Sequence, residues 1–218
     1  MEDELIIAMA DLDEEKTLKL VEERIQAGFT PVEIVECCKK GVEIVGKRYY
    51  EEIYFLSDLI MSEGIFRDVM RILEPYFPIN VQEKGSKIII ETVEGDIHDL
   101  GKNIMVYLLR SSGFQVYDLG VDVPPEKFVE AVNETGAPIL GISVLLSFCV
   151  GSIKKVVDLL QETGLRSKVL VVVGGYPVSD LVKEYTGVDF CFNDAGKAMK
   201  LISELRLSAP NLLLKPRR

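Results

Sequence analysis

The chain has 218 residues, 48% hydrophobic and 28% charged, with a mean hydropathy of +0.19; that composition fills a core and excludes a disordered, collagen-like or disulfide-scaffold protein. Asp and Glu number 35 against 25 Lys and Arg, a formal charge of −10 at pH 7, which repels nucleic-acid phosphates and anionic lipid and argues against both as partners. The start Met1-Glu2-Asp3-Glu4 is not a signal segment, and the most apolar stretch, Ile139 to Val150, is too short to span a bilayer. A soluble cytoplasmic protein without a membrane partner is therefore expected. Cys37, Cys38, Cys149 and Cys191 form no Cys-x-x-Cys pair and read as reduced, mostly buried thiols. The basic end Lys215 to Arg218 reads as a solvated tail.

In chain order, the first elements are helical. Leu18, Val21 and Ile25 share one face of a segment ended by Gly28. Thr30, Pro31 and Glu33 then mark a new helix start as N-cap, first helical residue and capping-box partner. Leu59, Ile60, Ile65, Phe66, Val69, Met70 and Leu73 give a further helical pattern that runs up to Pro75. Three or four helices make a small bundle over residues 1–80. Pro75, Pro78 and the polar run Gln82 to Ser86 mark the boundary and an expected hinge.

Residues 81–218 then follow the rhythm of strand–helix–strand units. Strands are expected at Ile88–Ile90, Gln115–Tyr117, Ile139–Ser143 and Val169–Val173, with a short one near Phe190. Helices are expected from about Lys102 to Arg110, from Pro125, through Val156 and Leu159, and from about Asp194 to Leu205. Near-continuous Val, Ile and Leu runs imply parallel strands buried on both faces. The fold class is thus α/β: a helical bundle followed by a flavodoxin-like, doubly wound parallel sheet of five strands in order 2-1-3-4-5. Such a sheet binds ligands beyond the carboxyl ends of its strands.

The loop after the first of these strands, Glu94 to Asn103, holds the only histidine, His98. Asp96 can accept a hydrogen bond from one ring nitrogen and leave the other to coordinate a metal, and Gly101 permits close backbone approach. Glu94, Asp96 and Asp99 argue against a phosphate cradle, and so against a flavin-nucleotide protein. A phosphoacceptor receiver is excluded because the third strand ends in Ile142-Ser143, without an aspartate. One histidine and one aspartate are too few for a closed zinc site. A metal that brings most of its own ligands would need only His98.

Asp96-x-His98-x-x-Gly101, 41 residues to Ser143-x-Leu145, and 28 residues to Gly174-Gly175 together resemble the signature of the cobalamin-binding proteins. Each piece alone is an ordinary strand exit or turn; the joint spacing on the expected loops is what is specific. The resemblance implies a corrinoid cofactor bound base-off and histidine-on, with His98 the lower axial ligand of cobalt and Asp96 its hydrogen-bonded partner. It implies cofactor contacts from Asp99 and Gly101, a tail slot lined by Ser143, Leu145, Gly174 and Gly175, and a further contact from Ser147. Where the methionine synthase branch carries a hydroxyl six residues after the first serine, this chain has Cys149, a weak donor and acceptor. The bundle resembles the helical cap of methyltransferase-associated corrinoid proteins through Tyr49 to Leu56, Leu59 and Met61. Taken singly, Phe55, Leu56 and Met61 read as bundle core.

The implied function is a corrinoid carrier that shuttles a methyl group on cobalt between a substrate-specific methyltransferase and an acceptor methyltransferase using a thiol or reduced pterin, served by a reductive activation protein. No residue of the chain is expected to be catalytic by itself. A barrel-type catalytic domain needs roughly 250 residues, so the methyl donor falls to another polypeptide. Two other readings remain open at this level: the cobalamin subunit of an adenosylcobalamin-dependent mutase, and a cobalamin sensor or regulator. Without a cofactor, the chain would be an interaction module.

Overall fold

The structure is a computed structural model that describes residues 3–77 and 86–212. The boundary expected near residue 80, most of the expected hinge and the Lys215 to Arg218 tail lie outside the described residues. The chain divides into two compact units, Met1–Pro78 and Ile79–Arg218.

The described part of the first unit is helical: α1 (Glu4–Ala10), α2 (Glu14–Gln26), α3 (Pro31–Tyr50) and α4 (Leu56–Leu73). Its caps follow from the sequence. After α2, the Phe29 N–H donates to the Arg24 carbonyl and the Gly28 N–H to that of Ile25, which satisfies carbonyls that have no partner inside the helix. Thr30 and Glu33 form the expected capping box at α3. Leu5, Met9, Val21, Ile34, Cys38, Val45, Ile65, Phe66, Val69 and Leu73 fill the core. Phe55, Leu56 and Met61 do not: Phe55, just before α4, and Leu56 and Met61, in its first two turns, are 73%, 61% and 45% exposed. Ile60, expected on the apolar face of that helix, is also exposed. Helices α1 and α3 cross closely at Gly41, where a Cβ would lie 2.5 Å from Met9 Cβ and 3.0 Å from the Ile6 carbonyl oxygen.

The second unit alternates strands and helices: β1 (Lys87–Thr92), α5 (Leu100–Ser111), β2 (Gln115–Asp118), α6 (Pro125–Thr135), β3 (Ile139–Ser143), α7 (Val150–Glu162), β4 (Leu170–Gly174), α8 (Asp180–Thr186), β5 (Phe190–Phe192) and α9 (Ala195–Leu212). The five strands form one all-parallel sheet in the order β2-β1-β3-β4-β5, as expected. On one face Ile89, Leu140, Ile142, Val171 and Val173 pack against Phe128 and Val132 of α6 and Ile153, Val156 and Leu160 of α7. On the other, Ile88, Ile90, Ile139 and Val172 pack against Val106 and Leu109 of α5 and Ile202 and Leu205 of α9. The period-2 alternation of side chains assigns Thr92, Gly141, Ser143 and Gly174 to this second face. Helix α8 is an element the sequence pattern did not announce; Ser179 caps its start and Gly187 ends it. Among the described residues no helix is long and apolar enough to cross a membrane.

One strand residue contradicts the apolar pattern. Glu91 is fully buried between Ile90 and Thr92, and neither carboxyl oxygen has a hydrogen-bond partner among the described residues. Burial, with the Asp118 carboxylate adding, pushes its pKa up to about 9. Glu91 is therefore neutral in the fold at pH 7 but ionised in the unfolded chain. A carboxyl raised in this sense costs stability progressively as pH climbs from about 4.5 to about 9.

The expected result is that the stability advantage of Glu91→Gln over the unmodified chain grows across that window, by up to about 1.4 kcal/mol per pH unit, in urea unfolding at several pH values. An advantage that stays flat with pH would show that Glu91 titrates normally. Gly41→Ala should destabilise the first unit by about 2 kcal/mol, since backbone and Met9 Cβ cannot swing aside; thermal unfolding followed by circular dichroism reads this directly.

Candidate functional site

The site lies at the carboxyl edge of the sheet, where the loops after β1, β2 and β3 meet. The Asp96 side chain, between β1 and α5, is 0% exposed. Its Oδ1 accepts hydrogen bonds from the His98 ring through Nδ1 at 2.6 Å and from the His98 backbone N–H at 3.1 Å. Its Oδ2 accepts from the N–H groups of Leu145 at 2.6 Å and Leu146 at 3.0 Å, on the loop after β3. Burial alone raises the Asp96 carboxyl, but these four hydrogen bonds outweigh it and hold the group below the usual carboxylate range. A charged carboxylate with no access to water persists only when its lone pairs are used in this way.

The consequence for His98 is directional. Its side chain is 40% exposed, and with Nδ1 committed to a buried carboxylate, the proton belongs on Nδ1 and the lone pair on Nε2. Thr92 Oγ1 donates to the His98 carbonyl at 3.0 Å and holds the backbone from below. Among the described residues, no three His, Cys, Asp or Glu side chains come together as a metal site. The arrangement offers a single nitrogen donor.

The remaining expected residues separate by what the fold itself demands of them. Asp99 caps α5, with its carbonyl accepting from the Asn103 N–H. Leu145 contributes its backbone N–H to Asp96, while its side chain is exposed. Ser147 opens a short 3-10 turn, Ser147–Cys149, on the exposed side of that loop. Cβ atoms at Gly101 and Gly174 would meet nothing closer than ordinary contact, so the chain's own packing does not require glycine there. Gly175 is different: φ is +139° and a Cβ would lie 1.7 Å from the Val144 carbonyl oxygen, so only glycine lets the loops after β3 and β4 pack. Ser143 stands between Thr92 and Gly174 in register, and on the same sheet face Gly141 lies between Ile90 and Val172. Thr92, Ser143 and Gly174 form a row of small residues at the carboxyl ends of β1, β3 and β4, bordered by Phe192 of β5, and Gly141 lies one pleat further in between the larger Ile90 and Val172.

Sequence reasoning missed Thr92, Gly141, the Leu146 N–H and Asp122. The small size of Thr92 and Gly141 within an apolar strand run was the available signal. Cys149 is buried, and burial pushes its thiol up, helped by the Asp96 and Asp122 carboxylates; it is a neutral thiol packed under the loop. Gly175→Ala should destabilise the second unit by about 3 kcal/mol, because it adds a clash with backbone to a left-handed φ. Gly174→Ala should cost under about 1 kcal/mol, and urea unfolding of the two variants side by side checks the contrast.

Comparison with known proteins bears on both units. A B12 binding domain model matches residues 86–203, and a second one matches residues 1–74. Dimethylamine corrinoid protein 3 of Methanosarcina acetivorans is 36% identical over 205 residues, 94% of this chain and 96% of that protein. The solved structure of the Methanosarcina barkeri monomethylamine corrinoid protein superposes with a TM-score of 0.85 at 33% identity, covering 93% of this chain and 97% of the other. The methanol:cobalamin methyltransferase complex from the same organism contains a chain with a TM-score of 0.52 at 26% identity, covering 95% and 81%. With both its helical and its sheet portion matched by B12 binding models, and corrinoid proteins similar along nearly its whole length, the chain belongs to the cobalamin-binding corrinoid proteins.

Proposed function

We propose that this chain is a corrinoid carrier, holding its cofactor base-off and histidine-on, and that it presents a methyl group alternately to a substrate-specific methyltransferase and to an acceptor methyltransferase with a thiol or reduced pterin as acceptor. A reductive activation protein would restore it when the metal is oxidised. The observation that carries this reading is the Asp96–His98 pair, in which a fully buried carboxylate fixes Nδ1 and leaves Nε2 as one nitrogen donor at 40% side-chain exposure. A metal that arrives with its own equatorial ring needs one such donor and no more.

The residues present fit that group. His98 would hold the cobalt, with Asp96 keeping the ring proton on Nδ1. Gly101 and Gly174, which the fold leaves free to be larger, give room for a ligand's close approach, and the strip Thr92–Ser143–Gly174 with Gly141 beside it suits a flat tail base. The corrinoid, when bound, supplies a metal centre that takes up and gives up a methyl group. The chain's own part is to orient one ring nitrogen, keep a proton on the other, and exclude water beneath the ring through buried Asp96 and Cys149. The first unit would serve as a cap: Tyr50, Ile53, Phe55, Leu56, Ile60 and Met61 are all exposed at one end of α3 and α4, an apolar patch of the kind that covers a ligand or partner. Relatives named for methylamines, and a similar chain inside a methanol:cobalamin methyltransferase complex, support the carrier role over a mutase subunit or a regulator.

The test is an absorption spectrum after incubation with hydroxocobalamin and removal of unbound cofactor, recorded beside His98→Ala. Stoichiometric corrinoid in the unmodified chain, with a spectrum that His98→Ala shifts toward the form lacking an axial nitrogen, is the expected result. Retention of no corrinoid under oxidising and reducing conditions alike would overturn the proposal, and an identical spectrum in His98→Ala would overturn the ligand.

A further inference from the structure

Asp122 lies outside the motif residues, on the segment between β2 and α6, yet it grips the His98 loop at two points. Its Oδ1 accepts the Gly95 N–H at 2.8 Å, and its own backbone N–H donates to the Asp96 carbonyl at 3.0 Å. The residues on either side of the Gly95–Asp96 peptide are thus fastened to one aspartate. Asp122 adopts φ +53°, and Gly95 opposite it φ +87°. A non-glycine residue in the left-handed region is held there by its surroundings, and Asp tolerates that region better than most.

The segment that carries Asp122 is itself fixed. The Thr92 N–H donates to the Gly120 carbonyl and the Val123 N–H to the Thr92 carbonyl, at 3.0 and 3.1 Å, and Val93 and Val123 form a parallel bridge. At its start, Asp118 accepts both the buried Lys102 ammonium and the Gly120 N–H. From the opposite side, Cys149 Sγ lies 3.2 Å from where a Gly95 Cβ would be. The loop before His98 has little room to move between Cys149 and Asp122.

We infer that Asp122 is a positioning residue for the Asp96–His98 pair: by clamping Gly95 and Asp96 it fixes where the Asp96 carboxylate stands, and so which ring nitrogen of His98 carries the proton and which is presented. Asp122 touches neither the ring nor a ligand of it, and acts through Asp96. Removing its carboxylate lets the 95–96 peptide rotate, loosens the hydrogen bond at His98 Nδ1, and mixes the two ring tautomers.

The chain contains one histidine, so the tautomer can be read without any cofactor from the ring nitrogen shifts of 15N-histidine-labelled protein, at a pH where the ring is neutral. The unmodified chain and Asp122→Asn, which keeps an acceptor for Gly95 and tolerates the left-handed backbone, should hold the proton on Nδ1. Asp122→Gly, which deletes the acceptor and relieves the backbone, should raise the Nε2–H tautomer by about threefold or more. A second readout rests on the corrinoid reading above: after loading with hydroxocobalamin and one-electron reduction, the nitrogen splitting in the electron paramagnetic resonance signal reports the histidine-bound fraction. The equilibrium constant for histidine coordination should fall by roughly three- to tenfold in Asp122→Gly and return in Asp122→Asn. A tautomer ratio and a bound fraction both unchanged in Asp122→Gly would overturn the inference. If the unmodified chain retains no corrinoid, the corrinoid reading fails and the tautomer measurement still decides. Should Asp122→Gly not fold, hydrogen exchange at the Gly95 amide of the unmodified chain decides instead: slowing by about tenfold or more over a free amide is expected, and exchange at the free rate overturns the clamp.

Discussion

A carboxylate that has lost all contact with water sets the terms for the functional end of this protein. Asp96 stays charged only because four hydrogen bonds reach it, two from His98 and two from the Leu145 and Leu146 backbone 49 and 50 residues further on. The bonds from Leu145 and Leu146 cannot form until β1 and β3 lie side by side with their carboxyl ends level, which is what the pairing of Thr92 with Ser143 achieves. The same carboxylate then dictates the state of the ring. Fold, loop closure and presentation of Nε2 are therefore one coupled arrangement, and removing any donor leaves the buried Asp96 charge with fewer partners.

The doubly wound order explains why the loops converge. The chain runs outward from β1 to β2 and then returns past β1 to β3, with α5 on one face and α6 and α7 on the other, and a crevice opens between β1 and β3 where the order reverses. The residues bordering that crevice divide into two kinds. Gly175 is small because the chain needs it so, while Gly101 and Gly174 are small where the chain leaves space unused.

The first unit shows the same separation on a larger scale. Its core positions, from Leu5 and Met9 to Phe66 and Leu73, are buried, but the apolar residues at the junction of α3 and α4 remain in solvent. Hydrophobic burial near 25 cal/mol per Å2 favours covering such residues, and this unit does not cover them itself. Glu91 is a comparable departure inside the sheet: an unpartnered carboxyl stays protonated near neutrality because ionising it there is worse.

Much of this was legible in the chain. Near-continuous apolar runs placed the parallel strands, because a strand buried on both faces must be apolar throughout, although the run that opens at Ile139 continues past Ser143, where β3 ends. The Thr30 to Glu33 capping box was legible because it is local chemistry. Helix α8 was not, since seven residues hold too few apolar turns to show a period. Phe55, Leu56 and Met61 were misjudged because hydrophobicity says that a residue prefers cover and not that the fold provides it. The sequence by itself determined the α/β class and the pairing of Asp96 with His98 two residues apart, since each depends on near neighbours or on composition along a run, and the strand order was expected only through the fold class that those runs fit. Only the tertiary structure decided that Asp96 is fully buried, that two backbone N–H groups from the loop after β3 hold its charge, and that Asp122 clamps it from the segment after β2. Those facts depend on which distant loops the sheet brings to one edge, and the backbone N–H groups that these carboxylates recruit are the same in every non-proline residue, so the sequence does not mark them.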